Sequence, residues 1–218
     1  MNNLLFDQIK NKFEVGDFAS AEKLCFKLYQ TQDKNINIVK NLALACMLQK
    51  KYFEALHFYN EALNIDTQDF DVNSNLAYLL SQTENYHNAI KHAQIAKKIN
   101  SANPIPLKIL GEINLNLRNF SEAESLLKEA IEIINVDKHP NQVFINELNY
   151  RYMQTLSALN KEDELKEFVL NIQKNYINPD VFSYQLQRFG KEINVDDLDR
   201  VKNELEKLQT NKNKENLK

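Results

Sequence analysis

The chain has 218 residues, of which 43% are hydrophobic and 26% charged, and its formal net charge is −3. This balance is typical of a globular protein with a sizeable core, and because Lys and Arg are not in excess it argues against a general nucleic-acid binder. With only three Gly and four Pro, the chain has few residues for the tight turns of β-hairpins, so we expect helices rather than strands.

A sequence repeat with a period of 34 residues begins near the first residue and continues without insertion over four units. Its most regular column is an alanine with an aromatic residue three positions earlier. The alanines are Ala21, Ala55, Ala89 and Ala123, and the aromatic residues are Phe18, Tyr52, Tyr86 and Phe120. A leucine followed by a small residue recurs at the same spacing in Leu42-Ala43, Leu76-Ala77 and Leu110-Gly111. Several columns that agree in this way predict a repeated structural unit.

Each unit divides into two apolar-periodic segments joined by a short polar turn, which predicts a pair of antiparallel helices. The predicted pairs are 3–14 with 18–31, 36–48 with 52–65, 70–82 with 86–99, and 104–116 with 120–135. Small residues at the repeated positions allow the two backbones of a pair to cross closely. The aromatic residue is expected to fill the space beside the crossing.

After residue 137 the register of the repeat slips. Residues 138–145 read as an insertion of about eight residues. A degenerate fifth pair is predicted at 141–158 and 162–175, with Leu165 in the place of the alanine. We therefore assign 138–195 to degenerate repeats.

The last part of the sequence predicts a capping helix. A helix is expected from Pro179 to Phe189, and residues 196–209 form a further helix with one apolar stripe, made by Leu198, Val201, Leu205 and Leu208. Such a helix either seals the end of a stack of helix pairs or serves as a coiled-coil site for a partner. The tail 210–218 consists mostly of Asn, Lys and Glu, and is expected to be disordered.

The repeated pattern closely resembles the tetratricopeptide repeat, whose signature is Leu-Gly or Leu-Ala in the first helix and aromatic-x-x-Ala in the second. The resemblance covers four repeats, at about 2–35, 36–69, 70–103 and 104–137. The first unit departs from it, with Gln8-Ile9 in place of leucine and a small residue. The resemblance implies an all-α fold, a right-handed superhelical solenoid of antiparallel helix pairs.

In such a solenoid the first helices line a concave groove in which partners bind. The helical period places ten residues in the groove: Lys40, Asn41, Leu44, Leu48, Asn75, Tyr78, Ile105, Ile109, Tyr150 and Arg151. Asn41 and Asn75 are one period apart, so they are either rungs that pair with the backbone of an extended peptide or ordinary polar surface. The segment 36–48 is apolar nearly all round, so either a later helix or a partner must cover it.

One branch of the family grips the terminal carboxylate of its partners with Lys, Asn and Arg. Lys40 and Asn75 match part of such a set, but Ile105 and Ile109 occupy the two basic positions of the next unit. That grip is therefore not expected here.

We find no arrangement of residues that predicts catalysis, a metal or a cofactor. His87 and His92 are five residues apart and do not share a helical face. They are expected to be solvated surface residues, as are His57 and His139. Cys25 and Cys46 do not form a CxxC motif, and they are expected to be small buried side chains.

The function predicted from these observations is that of a non-enzymatic scaffold or adaptor that holds a partner peptide or helix. Alternatives are a bacterial secretion-type chaperone and a non-catalytic repeat region related to repeat-containing glycosyltransferases or other enzymes. No signal peptide is apparent, and the longest apolar run, Leu42 to Leu48, is too short to cross a bilayer. We therefore expect a cytoplasmic protein that binds proteins, without nucleic acid and without insertion into a membrane. The sequence leaves the oligomeric state open.

Overall fold

A computed structural model describes residues 2–31, 35–137 and 141–175. In these ranges all regular secondary structure is α-helix, in ten helices. Their bounds are α1 Asn2–Glu14, α2 Phe18–Thr31, α3 Ile36–Leu48, α4 Tyr52–Ile65, α5 Phe70–Gln82, α6 Tyr86–Ile99, α7 Pro104–Asn116, α8 Phe120–Asp137, α9 Gln142–Ala158 and α10 Glu162–Asn175. The helix bounds predicted from the 34-residue period are confirmed to within two residues. The predicted helices at 179–189 and 196–209, the tail, and His139 lie outside the described residues.

The chain forms two compact units, Met1–Ile113 and Asn114–Lys218. We call them unit 1 and unit 2; the boundary between them falls inside α7. In unit 1, α1 packs on α2, α3 on α4 and α5 on α6. In unit 2, α8 packs on α9 and α9 on α10. The helix pairs α1–α2, α3–α4 and α5–α6 that the repeat predicts, and the fifth pair α9–α10, are therefore present.

The alanine column is buried, as expected for positions where the helices of a pair cross. Ala21, Ala55, Ala89 and Ala123 are all fully buried. A methyl side chain at this position lets two helix backbones approach closely, and a larger side chain would push them apart. Leu165, which occupies the same position in α10, is only half-buried.

The turn between the two helices of each pair has the same backbone conformation. Its central residue lies in the left-handed region, with φ between 56° and 74°, in Gly16, Lys50, Glu84, Arg118 and Asn160. The following residue donates its N–H to a carbonyl five residues earlier, as from Lys51 to Cys46 at 2.9 Å and from Lys161 to Leu156 at 3.0 Å. This is the Schellman arrangement, which satisfies carbonyls at the end of the first helix.

Side-chain caps fix the starts of several first helices. Asn35 accepts a hydrogen bond from the Asn37 N–H at 2.8 Å, and Asp69 accepts one from the Val72 N–H at 2.9 Å. Asn103 and Asn141 do the same for α7 and α9. Asn and Asp are preferred at this position because their oxygens reach backbone N–H groups that have no partner inside the helix.

The eight extra residues are accommodated in α8, the second helix of the fourth pair, and in α9, the first helix of the fifth pair. With 18 residues, α8 is four residues longer than α2, α4 and α6, which have 14 each. With 17 residues, α9 is four residues longer than α3, α5 and α7, which have 13 each. Since a helical turn takes 3.6 residues, the slip in register corresponds to about one additional turn on each helix.

Candidate partner-binding face

The apolar character of α3 is explained mainly by burial within unit 1. This helix packs against α2, α4 and α5, and seven of its residues are buried: Ile38, Val39, Leu42, Ala43, Ala45, Cys46 and Met47. Of the alternatives predicted for this helix, intramolecular cover therefore accounts for most of its surface. A narrow stripe stays accessible, in which Lys40, Asn41 and Leu44 are half-buried and Leu48 is 42% exposed.

The first helix of the following pair, α5, presents an equivalent accessible stripe. Asp71, Asn75 and Tyr78 follow one another at helical spacing, and Tyr78 is 40% exposed. One period separates Tyr78 from Leu44 and Asn75 from Asn41, so equivalent positions of the two helices carry this surface. We call the accessible residues of α3 and α5 the first-helix face: Lys40, Asn41, Leu44, Leu48, Asp71, Asn75 and Tyr78.

Asn75 influences the buried hydroxyl of Tyr59 on α4, and lowers the pKa of that phenol. Tyr59 is fully buried and its hydroxyl donates to Sδ of Met47 at 3.8 Å; burial raises its pKa well above the usual value. An amide side chain has several donor and acceptor positions, so Asn75 retains hydrogen-bonding capacity for a partner.

Lys40 is held by two carboxylates of unit 1. Its Nζ lies 3.0 Å from Oδ2 of Asp69 and 2.8 Å from Oδ2 of Asp71. Burial disfavours the charged form of Lys40, but the hydrogen bonds to Asp71 and Asp69 outweigh it and raise its pKa. Lys40 is thus a fixed cation between two anions, an arrangement that sequence analysis missed because the carboxylates lie 29 and 31 residues away.

Helix α7 exposes less of its predicted groove surface than expected from the sequence. Ile105 is half-buried, but Ile109 is only 3% exposed and belongs to the hydrophobic core. Its predicted role as a groove residue is therefore corrected. Nearby, the Lys108 ammonium lies 3.2 Å from the Glu112 carboxylate, and both side chains are largely buried.

In unit 2, the two predicted groove residues of α9 differ in accessibility. Tyr150 is 3% exposed, so it belongs to the interior and does not present its ring to a partner. Arg151 is half-buried; its guanidinium lies 5.7 Å from the ring centroid of Tyr150 and donates to Gln154 Oε1 at 3.0 Å. These contacts hold the arginine against its own helix.

The cysteines are buried, as expected for small apolar side chains. Burial raises the pKa of Cys25 to about 12 and that of Cys46 to about 11. At neutral pH both are therefore thiols, and the thiolate is the reactive form of cysteine.

The expectation that the histidines are solvated surface residues fails for His92. Its ring is half-buried, and Nδ1 lies 3.0 Å from Oδ1 of Asn73, which is fully buried on α5. The Asn73 amide donates to the carbonyls of Thr67 and Asp69. His92 thus helps to hold the loop before α5, whereas His57 and His87 are exposed.

Two kinds of feature are absent from the part of the chain that the structure describes. Over 2–31, 35–137 and 141–175, no group of three or more His, Cys, Asp or Glu side chains is placed to hold a metal ion. None of the described helices is both long and apolar enough to cross a membrane.

Comparisons with known proteins agree with the repeat pattern. Tetratricopeptide repeat protein 21B of Xenopus laevis is 27% identical to the chain over 126 residues, which make up 54% of this chain and 10% of that protein. The match thus spans about a tenth of the length of that relative. A scan against models of known protein families gives no match.

Solved structures show the same fold. A tetratricopeptide repeat protein from Parabacteroides merdae ATCC 43184 superposes with a TM-score of 0.67 at 17% identity, over 95% of this chain and 78% of that one. MamA from Desulfovibrio magneticus RS-1 superposes with a TM-score of 0.65 at 9% identity, over 79% of this chain and 93% of that one.

The repeated columns, the helix pairs and these likenesses define a class. This class is that of the tetratricopeptide repeat proteins, whose all-helical fold the chain shares. Repeats of this kind generally mediate interactions between proteins.

Proposed function

We propose that the chain is a protein-binding scaffold that holds a segment of a partner protein against the first-helix face of unit 1. The observation that carries this proposal is the pair of exposed apolar side chains, Leu48 and Tyr78, on the accessible stripes of two consecutive first helices. Large apolar side chains flanked by half-buried polar groups are typical of protein interaction sites. Leu44, about one turn before Leu48 on α3, is a half-buried apolar side chain of the same face.

The polar groups of the face support binding of a peptide backbone. Asn41 and Asn75 occupy equivalent positions of α3 and α5 and are half-buried. An asparagine amide offers both donors and acceptors, so it pairs with a peptide group irrespective of the partner's side chains. This supports a mode in which apolar contacts give most of the affinity and the two amides orient the segment.

The alternatives of a secretion-type chaperone and of a repeat region related to enzymes remain predictions from the sequence, as does the cytoplasmic location. Each is compatible with a partner held on the first-helix face, so the experiment below addresses the face directly.

The proposal is tested by affinity capture from the source cell with the tagged wild-type chain and two variants. Tyr78→Ala and Leu48→Ala truncate apolar anchors of the face, and each is expected to weaken partner binding by about 2 kcal/mol if it is a central contact. Proteins recovered by the wild type and depleted in both variants, as quantified by mass spectrometry, are the expected partners.

The matched control is Phe53→Ala. Phe53 is 83% exposed on α4, a second helix, so its truncation removes as large an apolar side chain without touching the face. Capture should be unchanged in this variant, and circular dichroism should show equal helix content in all four proteins. Partners that are lost equally in Phe53→Ala, or retained by both face variants, would contradict the proposal.

A further inference from the structure

The first-helix face has two chemically different ends. Lys40 lies at the start of the second turn of α3 and Asp71 in the first turn of α5, with Asp69 just before α5. Leu48 is the last residue of α3, and Tyr78 lies about one turn before the end of α5. Because α3 and α5 occupy equivalent positions of successive repeats, a charged end and an apolar end extend across both helices.

The charged end is unfavourable for a carboxylate. Lys40 contacts both Asp69 and Asp71, at 3.0 and 2.8 Å, so its single positive charge faces two negative charges. The Asp69 side chain is 15% exposed and caps α5 through the Val72 N–H, whereas the Asp71 side chain is 60% exposed. An incoming anion would be repelled, while a cation can approach the accessible Asp71 carboxylate in addition to Lys40.

The distance between the two ends limits the ligand. Asp71 and Tyr78 are seven residues apart on α5, which corresponds to about 10 Å along the helix axis. An extended peptide in the polyproline II conformation has three residues per turn and advances by about 3.1 Å per residue. Its side chains three positions apart therefore lie on one side and span about this distance.

We propose, on the basis of the function proposed above, that the first-helix face selects an extended basic-apolar segment of a partner protein. In this segment a Lys or Arg pairs with Asp71, and an apolar or aromatic side chain three residues away packs on Tyr78 and Leu48. The cation supplies selectivity and the apolar side chain most of the affinity, as is general for a rim-exposed charge beside a desolvated contact.

The test is selection from a displayed library of short random peptides on the immobilised full chain. We expect the enriched sequences to carry Lys or Arg with an apolar residue three positions away. Enrichment of acidic sequences, or of sequences that bind through a terminal carboxylate, would overturn this inference but leave the proposed function standing. If no peptide is enriched, or if the enriched peptides bind Tyr78→Ala at full affinity, both the inference and the proposed function fail.

Single-residue variants then assign the cation. Binding of a selected, fluorescently labelled peptide should weaken about two- to fivefold in Asp71→Asn, the size expected for a solvent-exposed ion pair, and its dependence on salt should decrease. The peptide in which Lys or Arg is replaced by Gln should bind wild type and Asp71→Asn equally. Glu54→Gln, the same chemical change at an exposed position of α4, should bind as wild type. An equal loss in Glu54→Gln, or no loss in Asp71→Asn, would contradict the pairing.

Discussion

The regular pairs of unit 1 and the fifth pair of unit 2 use the same turn but not the same helix crossing. Lys50, Glu84 and Asn160 share the left-handed conformation, whereas the fully buried Ala89 is replaced by the half-buried Leu165 in the fifth pair. The turn is therefore retained even where the repeat register has slipped by eight residues. This indicates that the turn defines each pair and that the crossing is adjusted to the side chains available.

The largest change in the free energy of unfolding is expected at the alanine column, where Ala89 and Leu165 differ. Ala89→Leu should overpack a close contact and lower the free energy of unfolding by about 1–3 kcal/mol. Leu165→Ala, the reverse change at the equivalent position, should cost less than about 2 kcal/mol because its side chain is only half-buried. Urea denaturation of the full chain measures both, and an Ala89→Leu variant as stable as wild type would show that the crossing is not close.

The next prediction tests the similarity of the turns. Lys50→Gly and Glu84→Gly should each stabilise the chain by about 0.5–1 kcal/mol, since glycine adopts a positive φ without steric cost. Asn160→Gly should gain less, because asparagine already tolerates this conformation.

Gly16→Ala provides the control with the opposite sign. A Cβ at this position would meet no atom within 4 Å, so its destabilising effect would come from the backbone alone. Thermal melting distinguishes the four variants. A stabilising Gly16→Ala would contradict the shared turn.

These turns also show what the sequence can predict. The 34-residue columns predict the helix bounds well, because no insertion interrupts the first four units and each column repeats the same local geometry. The sequence predicts the insertion at 138–145, but it could not show that the insertion lengthens α8 and α9, since an insertion that extends two helices looks the same in sequence as a longer loop.

The candidate site was harder to predict than the fold. The helical period predicts Leu48, Tyr78, Ile109 and Tyr150 as groove residues; the first two are exposed, whereas Ile109 and Tyr150 are buried. Periodicity shows which side of a helix a residue occupies, but not which other residues cover that side. The partners of Lys40 were missed for the same reason, because they depend on packing between α3 and the start of α5.

A smaller effect is expected at an ion pair that occurs at equivalent positions in each unit. In unit 1, Oε2 of Glu22 lies 2.6 Å from Nζ of Lys51, and in unit 2, Oε1 of Glu124 lies 2.7 Å from Nζ of Lys161. Burial opposes the charge of Glu22, but hydrogen bonds from Lys51 and Gln49 outweigh it and lower its pKa from 4.5. This carboxylate therefore stabilises the fold above that pH, and the contribution is lost as the pH falls through its lowered pKa.

Glu22→Gln should consequently destabilise the chain at neutral pH by less than about 1 kcal/mol. The difference from wild type should vanish in acid, as measured by urea denaturation across the acidic range. A difference that does not change with pH would show that packing, and not the charge, accounts for the role of Glu22.

The smallest effect on stability is expected at a contact of unit 1 between His92 and Asn73. His92 pairs with Asn73, whereas Phe168 takes its place in α10 and packs edge-on against Tyr152, with ring centroids 4.7 Å apart. Burial and the nearby Lys91 lower the pKa of His92 from 6.5, so protonation favours the unfolded chain. Wild type should lose stability relative to His92→Gln as the pH falls below about 6.5, and the reverse trend in thermal melting would contradict this assignment.

Binding of a partner to the first-helix face of unit 1 can be tested directly by hydrogen-exchange mass spectrometry of the chain with a captured partner or selected peptide. We expect slower exchange on binding in α3 and α5, over 36–48 and 70–82, with little change in α4 and α6. Slower exchange confined to the second helices, or to residues 196–209, would contradict it and place the binding surface elsewhere in the chain.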